Sequence, residues 1–269
     1  MIKSTLTLLL MVLCHFAFAQ IETDRPDFTE SPNVVLKGAL QVETGFIWEN
    51  DEQSFMSSGV LNNLSERNFT VNTTLLRYGL TDNIELRFNT SFNNNREILN
   101  SALTGGQDFT TDRVGFSTSF IGFKTNLYKN DKISIGFLGH LYIPEIATGD
   151  FAKTAAQKIA PEFLIPLTYD ITDRFGIAVQ YGLTWDGYTP NPITSYTLAL
   201  GYAITDKLSF YLEPYGFLTN NGDELHLING GFTYLINNDL QLDLTGGFGL
   251  NEPAPDNFLN CGASFILFN

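Results

Sequence analysis

The sequence predicts a transmembrane antiparallel up-and-down β-barrel of about twelve strands, all-β, with short periplasmic turns and longer extracellular loops. Three observations carry that prediction. Apolar and polar residues alternate strictly over stretches of about ten residues, a turn unit led by tyrosine recurs along the chain, and short turns alternate with long connections. The composition agrees. Of the 269 residues 43% are hydrophobic but only 16% are charged, against about 25% in an ordinary soluble domain. Phe (23), Gly (23) and Tyr (11) are abundant while Met (3) and Cys (2) are scarce. Strand and turn formers therefore dominate, which disfavours a helical bundle. A formal net charge of −14 opposes attraction to nucleic acid phosphates, so no nucleic acid partner is expected.

The first element reads as a leader. Lys3 precedes an apolar run from Leu6 to Phe18, and Ala17-Phe18-Ala19 has the small-x-small pattern that a signal peptidase reads, so residues 1–19 are expected to be removed before Gln20. Cys14 does not fit a lipid-carrying cysteine, because Leu13 stands where a small residue is needed. Cleavage leaves Cys261 as the only cysteine and rules out an intramolecular disulfide. A lone Cys in a strand-like segment reads as a small packed hydrophobe. The longest later uncharged run, Gly187 to Thr205, contains Pro190, Pro192 and Gly201 and has the texture of a strand, not of a spanning helix.

Residues 20–37 form a second element, an N-terminal periplasmic or lumen-plugging segment. Pro26 and Pro32, with dense Asp, Thr and Ser between them, exclude a regular helix or a central strand. Taken alone, the segment reads as a solvated periplasmic tail.

Residues 38–269 read as the barrel itself. From Ile84 to Phe92, Ile84, Leu86, Phe88, Thr90 and Phe92 alternate with Glu85, Arg87, Asn89 and Ser91. The same split runs from Phe175 to Asp186 and from Leu240 to Leu250. Soluble strands average nearer five or six residues, whereas tilted strands crossing a bilayer need roughly 9–11. Tyr78, Tyr169, Tyr202 and Tyr234 each precede a tight polar turn, and Tyr128 precedes a looser copy. In a membrane barrel these five would form an interfacial aromatic girdle, ring at the headgroups and hydroxyl in water. Between the turns lie longer connections, at about Asn50 to Arg67, Asn93 to Asp112, Glu145 to Gln157, Asp186 to Ile193, Thr219 to Glu224 and Asn251 to Asn257. The apolar strand Phe258 to Phe268 can close on the first strand. Parity slips around Leu75-Leu76 and around Phe120 to Phe123, where a β-bulge is expected in each strand.

If the apolar face meets lipid, the other face lines the lumen. That inward set is Gln41, Glu43, Glu85, Arg87, Glu162, Gln180, Glu213 and Asp243, with Gly136, Gly176, Gly182, Gly201, Gly247 and Gly249 leaving space beside them. Several carboxylates against one arginine make an acidic interior that favours cations or neutral polar solutes. Alternatively the charges pair with one another and fill a solid interior, since about twelve strands enclose a narrow lumen.

Enzymatic chemistry finds little support. His15 leaves with the leader, and His140 and His226 stand apart, with no HExxH, close His pair or cysteine cluster for a metal. Ser134 and His140 share a strand face but lie six residues apart, beyond hydrogen-bond reach along an extended strand. The loop acids Asp51, Glu52, Asp223 and Glu224 show no regular spacing of calcium ligands and read as solvated. No catalytic residue, metal or cofactor is expected.

One stretch carries a resemblance. Thr23-Asp24-Arg25-Pro26-Asp27-Phe28-Thr29-Glu30-Ser31-Pro32, followed by Gly38 and Gln41-Val42-Glu43-Thr44-Gly45-Phe46, is similar to the opening of the outer-membrane proteins grouped as the putative MetA-pathway of phenol degradation. The runs Leu76 to Arg87, Gly122-Phe123-Lys124, Trp185-Asp186-Gly187 and Leu242 to Gly247 extend the likeness over nearly the whole mature chain. It implies an outer-membrane barrel moving small, apolar or aromatic molecules, with the bilayer, the solute and, during biogenesis, the barrel assembly machinery as partners. Asp24, Arg25, Pro26, Asp27 and Glu30 are dense enough chemically to fold into the periplasmic mouth, where Arg25 would pair with Glu43 or Glu85 and narrow the pore. The expected function is a passive channel; the alternatives are a non-conducting structural or surface-interaction barrel and a soluble exported β-sandwich that binds a ligand.

Overall fold

The computed structural model describes residues 21–57, 60–101, 107–156, 158–219, 222 and 224–268. The leader expected at residues 1–19 and the loop acid Asp223 lie outside them. Among the described residues a single sheet holds thirteen strands. They are β1 (Leu40–Ser57), β2 (Val60–Gly79), β3 (Ile84–Ser101), β4 (Asp108–Phe116), β5 (Ser119–Lys129), β6 (Ile133–Ile143) and β7 (Ala160–Asp170). After them come β8 (Phe175–Thr184), β9 (Ile193–Ala203), β10 (Leu208–Leu218), β11 (Leu225–Asn237), β12 (Leu240–Gly249) and β13 (Asn257–Phe268). β1 pairs antiparallel with both β2 and β13, and the β2–β3 pairing closes the ring. β4 and β5 occupy one position in the wall: β3 pairs with β5 through Ile84–Asn89 and with β4 through Phe92–Asn100. The result is the twelve-position closed barrel expected from the alternation.

The alternation decides which side is which. Along β3, Leu86 is 45% exposed, while its neighbours Glu85 and Arg87 are 0% and 3% exposed. Large apolar side chains such as Trp48, Ile121, Ile165 and Leu244 point outward, and polar ones fill the interior. Such an inverted arrangement is stable only where the outer belt meets lipid, and a closed ring leaves no strand edge unpaired there. Most strands run 10 to 13 residues, but β1, β2 and β3 have 18, 20 and 18. At about 3.3 Å per residue, β2 is roughly 30 Å longer than an 11-residue strand such as β6.

That length corrects two expected loops. Most of Asn50 to Arg67 and of Asn93 to Asp112 is strand, because β1, β2, β3 and β4 continue as paired hairpins beyond the apolar belt. Above the bilayer both faces of a sheet meet water, so these stretches carry no apolar alternation to betray them. Asp51 accordingly lies in β1 opposite Glu66, which in turn lies opposite Glu97.

The bulges also fall elsewhere than expected. Register shifts occur at Gly45/Ile47 of β1, Thr70/Asn72 of β2 and Asn126/Tyr128 of β5. At Leu75-Leu76 and Phe120-Ile121 parity simply continues, with Leu75 and Phe120 turned inward and buried. The interior thus holds some apolar groups; Phe120 stacks on His140 at 4.1 Å. Cys261 is not packed in a core but is free and exposed on the outer face. Tyr78, Tyr128, Tyr169, Tyr202 and Tyr234 all sit exposed at the short-turn ends of their strands.

Candidate functional site

The lumen is occupied by the chain's own N-terminal segment. Between Ile21, whose amide donates to the Asn238 carbonyl at 2.9 Å, and Lys37, which bridges to Gly79, residues 22–36 form no regular element. Pro26, after a cis peptide bond, and Pro32 keep the segment irregular, so its amides need partners from outside the segment. The wall supplies them, largely as carboxylates.

Glu43 of β1 accepts the amides of Asp24 and Arg25 at 3.1 Å each. Glu213 of β10 accepts those of Phe28 and Thr29 at 2.8 Å each, together with the Thr29 hydroxyl at 2.6 Å. Gln180 of β8 takes the Glu30 amide at 3.0 Å, and Glu85 of β3 takes that of Val35 at 2.9 Å. At the three glutamates the charged acceptor makes each bond roughly twice as strong as one to a neutral group such as the Gln180 amide. The side chains of Gln41, Glu43, Glu85, Arg87, Gln180, Glu213 and Asp243 are all buried, and that of Glu162 is 12% exposed.

Opposite charges converge at the centre. Asp24 Oδ2 lies 2.6 Å from Arg87 and 3.1 Å from Arg77, and its Oδ1 lies 2.5 Å from Lys124 Nζ. Glu85 and Glu43 hold Arg77 at 2.9 and 2.8 Å, and Glu30 takes Arg87 in a bidentate pair at 2.9 Å. Buried charges are costly unless geometry and additional hydrogen bonds compensate, and here nearly every oxygen has a donor. The sequence reading of an acidic interior with one arginine is therefore corrected: Arg77 and Lys124, both fully buried, join Arg87 on the inner face. They were hidden because the inward leucine and phenylalanine near them break the alternation by which lumen positions are recognised. Carrying the parity of Glu85 and Arg87 back across the Gly79–Asn83 turn is the signal that could have found Arg77.

Arg25 takes a different partner from the one expected. Its guanidinium binds Asp243 of β12 at 2.9 and 3.1 Å and Asn260 of β13 at 2.6 Å; only its backbone amide meets Glu43. Gly45 and Gly262 make room for it, since a Cβ at either would collide with the Arg25 guanidinium. Asp27 has no cation partner among the described residues and lines, with Arg25 and Thr23, a cavity of about 780 Å³ at the periplasmic mouth. Phe28 stacks on Tyr215 at 4.8 Å, an apolar anchor in an otherwise polar interface.

Toward the extracellular end, Glu162 of β7 accepts His140 Nδ1 at 2.7 Å and the Thr184 hydroxyl at 2.8 Å. His140 Nε2 is buried without a partner. No group of three His, Cys, Asp or Glu side chains among the described residues is placed to hold a metal ion.

Comparison with known proteins places this geometry. Residues 23–266 match the family described as "Putative MetA-pathway of phenol degradation". The structure is similar to "the COG4313 outer membrane channel from Pseudomonas putida F1", at 15% identity and TM-score 0.59, over 91% of this chain and 100% of that one. It is also similar to the KdgM porin, at 10% identity and TM-score 0.52, over 85% and 99% of the two chains. At such identities the likeness is one of fold. No curated protein sequence matches the chain.

Proposed function

Because the chain belongs to the family described as putative MetA-pathway of phenol degradation, we propose that it is an outer-membrane channel for small solutes whose lumen is closed at rest by residues 21–37. The supporting observation is how that segment is held: by Glu43, Glu85, Gln180 and Glu213 on its backbone and by Arg87, Lys124 and Asp243 on its side chains, from strands around the ring. These contacts are polar, and water admitted to the lumen competes for each of them. A segment held this way can leave without unfolding the wall, whose ladder hydrogen bonds are independent of it.

With the segment displaced, the inward carboxylates Glu43, Glu85, Glu162, Glu213 and Asp243 face Arg77, Arg87 and Lys124, which favours cations or neutral solutes. Passive movement of small apolar or aromatic molecules down their gradient fits the family's description and the structural neighbour named as a channel. Export through the leader at residues 1–19, insertion by the barrel assembly machinery and a tyrosine girdle at Tyr78, Tyr128, Tyr169, Tyr202 and Tyr234 complete this reading. No catalytic step is assigned.

The matched buried charges favour one competitor, a permanently plugged barrel with a structural or surface role. Single-channel conductance in a planar bilayer separates the two. Wild-type protein should conduct rarely or in brief openings, and protein lacking residues 21–37 should give steady, cation-preferring current. Silence from both, with the barrel shown to be folded, would leave the competitor standing.

A further inference from the structure

At the extracellular end a second cavity, of about 320 Å³, opens between β6, β7, β8 and the loop after β8. Tyr142, Trp185 and Tyr188 give it aromatic walls, Pro144, Ala156 and Ala160 keep it narrow, and Thr118 and Thr184 are polar groups within it. That volume lies at the small end of the range for ligand sites and suits a single ring.

Its rim is already folded. Asp186 accepts the amides of Tyr188 and Thr189 at 2.8 Å each, bonds that hold its carboxyl below the usual range. The Trp185 indole donates to the Pro190 carbonyl at 3.1 Å, and the Tyr188 hydroxyl donates to the Thr154 carbonyl. Gly187 sits at φ +77°, with Ala156 and the Lys158 carbonyl against it, where any side chain would collide. A rim so organised loses little entropy on binding.

The chemistry of the floor is set by Glu162, one residue pair behind the cavity. The Thr184 hydroxyl donates its proton to Glu162 at 2.8 Å, and the Tyr142 hydroxyl, more loosely, at 3.4 Å. Both protons are directed backward, so what these groups offer a ligand is lone pairs. The site therefore asks for a donor. An anion, which only accepts, would meet at this floor lone pairs with a carboxylate behind them; the cation among the lining residues, Lys158, is exposed.

We propose that this cavity is the solute's entry site and that it selects a neutral, planar ring bearing a hydroxyl donor, as phenol does, over the same ring without a hydroxyl or with a carboxylate. The proposal rests on the channel reading above and names where and how its solute is first held.

Trp185 is the reporter. The chain has two tryptophans, and in a W48F background, in detergent or vesicles, the emission of Trp185 is titrated with phenol, toluene and benzoate. Phenol should shift or quench the emission at concentrations about five-fold or more below those needed with toluene or benzoate. Tyr142→Phe and Thr184→Val, both close in shape, should each weaken phenol about five-fold and leave toluene unchanged, the size of one neutral hydrogen bond. Equal responses to all three probes, or a phenol response indifferent to both variants, would overturn the selection rule. No response to any probe from a folded barrel would overturn the site. Conductance of the protein lacking residues 21–37 is read separately, so binding without current counts against the channel and current without binding counts against the cavity.

Discussion

Lys124 Nζ and Asp24 Oδ1 meet at 2.5 Å across a separation of 100 residues, joining the inner face of β5 to the start of the N-terminal segment. Arg87 and Arg77 reach the other oxygen of the same carboxylate. Asp24 is thus where the segment's charge is most fully matched, and the retention of the segment follows from it.

Asp24→Asn removes that charge while keeping the shape. The three cations keep Glu85, Glu43 and Glu30 as partners, so the barrel should still fold and migrate as a heat-modifiable species. Docking of the segment should weaken by about 2 kcal/mol, within the range for charged hydrogen bonds. The expected outcome is more frequent channel opening and faster protease cleavage within residues 21–37. Unchanged cleavage and unchanged current would refute the retention role.

Glu213→Gln tests the second anchor. Glu213 accepts the Phe28 and Thr29 amides, the Thr29 hydroxyl and the Asn229 amide, and a glutamine must turn an NH₂ toward some of these donors. A loss of roughly 1–3 kcal/mol is expected. It should appear as faster hydrogen exchange at the amides of Phe28 and Thr29, with little change at those of Val35 or of the strands. Exchange unchanged at those two amides would count against the anchor.

Gly45→Ala should contain the effect of Arg25→Ala on channel opening. The added methyl meets the Arg25 guanidinium and also the Cys261 carbonyl of β13, so either change breaks the Arg25–Asp243 pair, and the glycine change in addition strains the β1–β13 seam. The two should be non-additive when combined, because they remove one interaction. Additive effects on opening frequency in the double variant would show that the glycine serves something else.

Arg77→Met strikes the wall as well as the segment, whose Asp24 carboxylate and Glu22 and Asn33 carbonyls Arg77 also holds. It takes Arg77 from Glu43 and Glu85, both fully buried; Glu85 keeps Arg87 at 3.0 Å but Glu43 loses its cation, and removing one partner of a buried pair costs about 3–5 kcal/mol. A lower urea midpoint is expected both in the full chain and in protein lacking residues 21–37. Loss confined to the full chain would mean that Arg77 serves the segment alone.

Cys261 reports on the outer face. Free and exposed on β13 at the level of Phe46, it should react in vesicles with an apolar maleimide and resist a charged one until detergent is added. Rapid labelling by the charged reagent in intact vesicles would place this face in water.

How much of this could be read from residues alone depends on where lipid stops. Within the belt, Leu86 and Glu85 differ completely in exposure, and the alternation that records this made the barrel, its closure and eight inward positions legible. Above the belt, Asp51, Glu66 and Glu97 lie in paired strands, yet with water on both faces nothing in the pattern distinguishes them from loop. Arg77 and Lys124 were lost for a related reason: Leu75 and Phe120 are apolar but face inward, so a two-letter pattern misassigns their neighbours. The dense N-terminal motif was visible as a motif. That Arg25 seeks Asp243 and not Glu43 was not, because the choice depends on which wall residues have space beside them, and Gly45 and Gly262 acquire that meaning only once β1 and β13 are neighbours.

The reach of Arg25 to Asp243 and Asn260 also sets a chronology. The segment precedes every strand in the chain, yet the partners of this one guanidinium lie on the last two. Glu43, Arg87, Lys124 and Glu213 stand on β1, β3, β5 and β10 and can take up the segment without them, but Asp243 and Asn260 come to face Gly45 only when β12, β13 and β1 are in register. The Arg25 contact is therefore the one anchor that requires the ring to be closed, and it fastens the segment across the seam where the first strand meets the last.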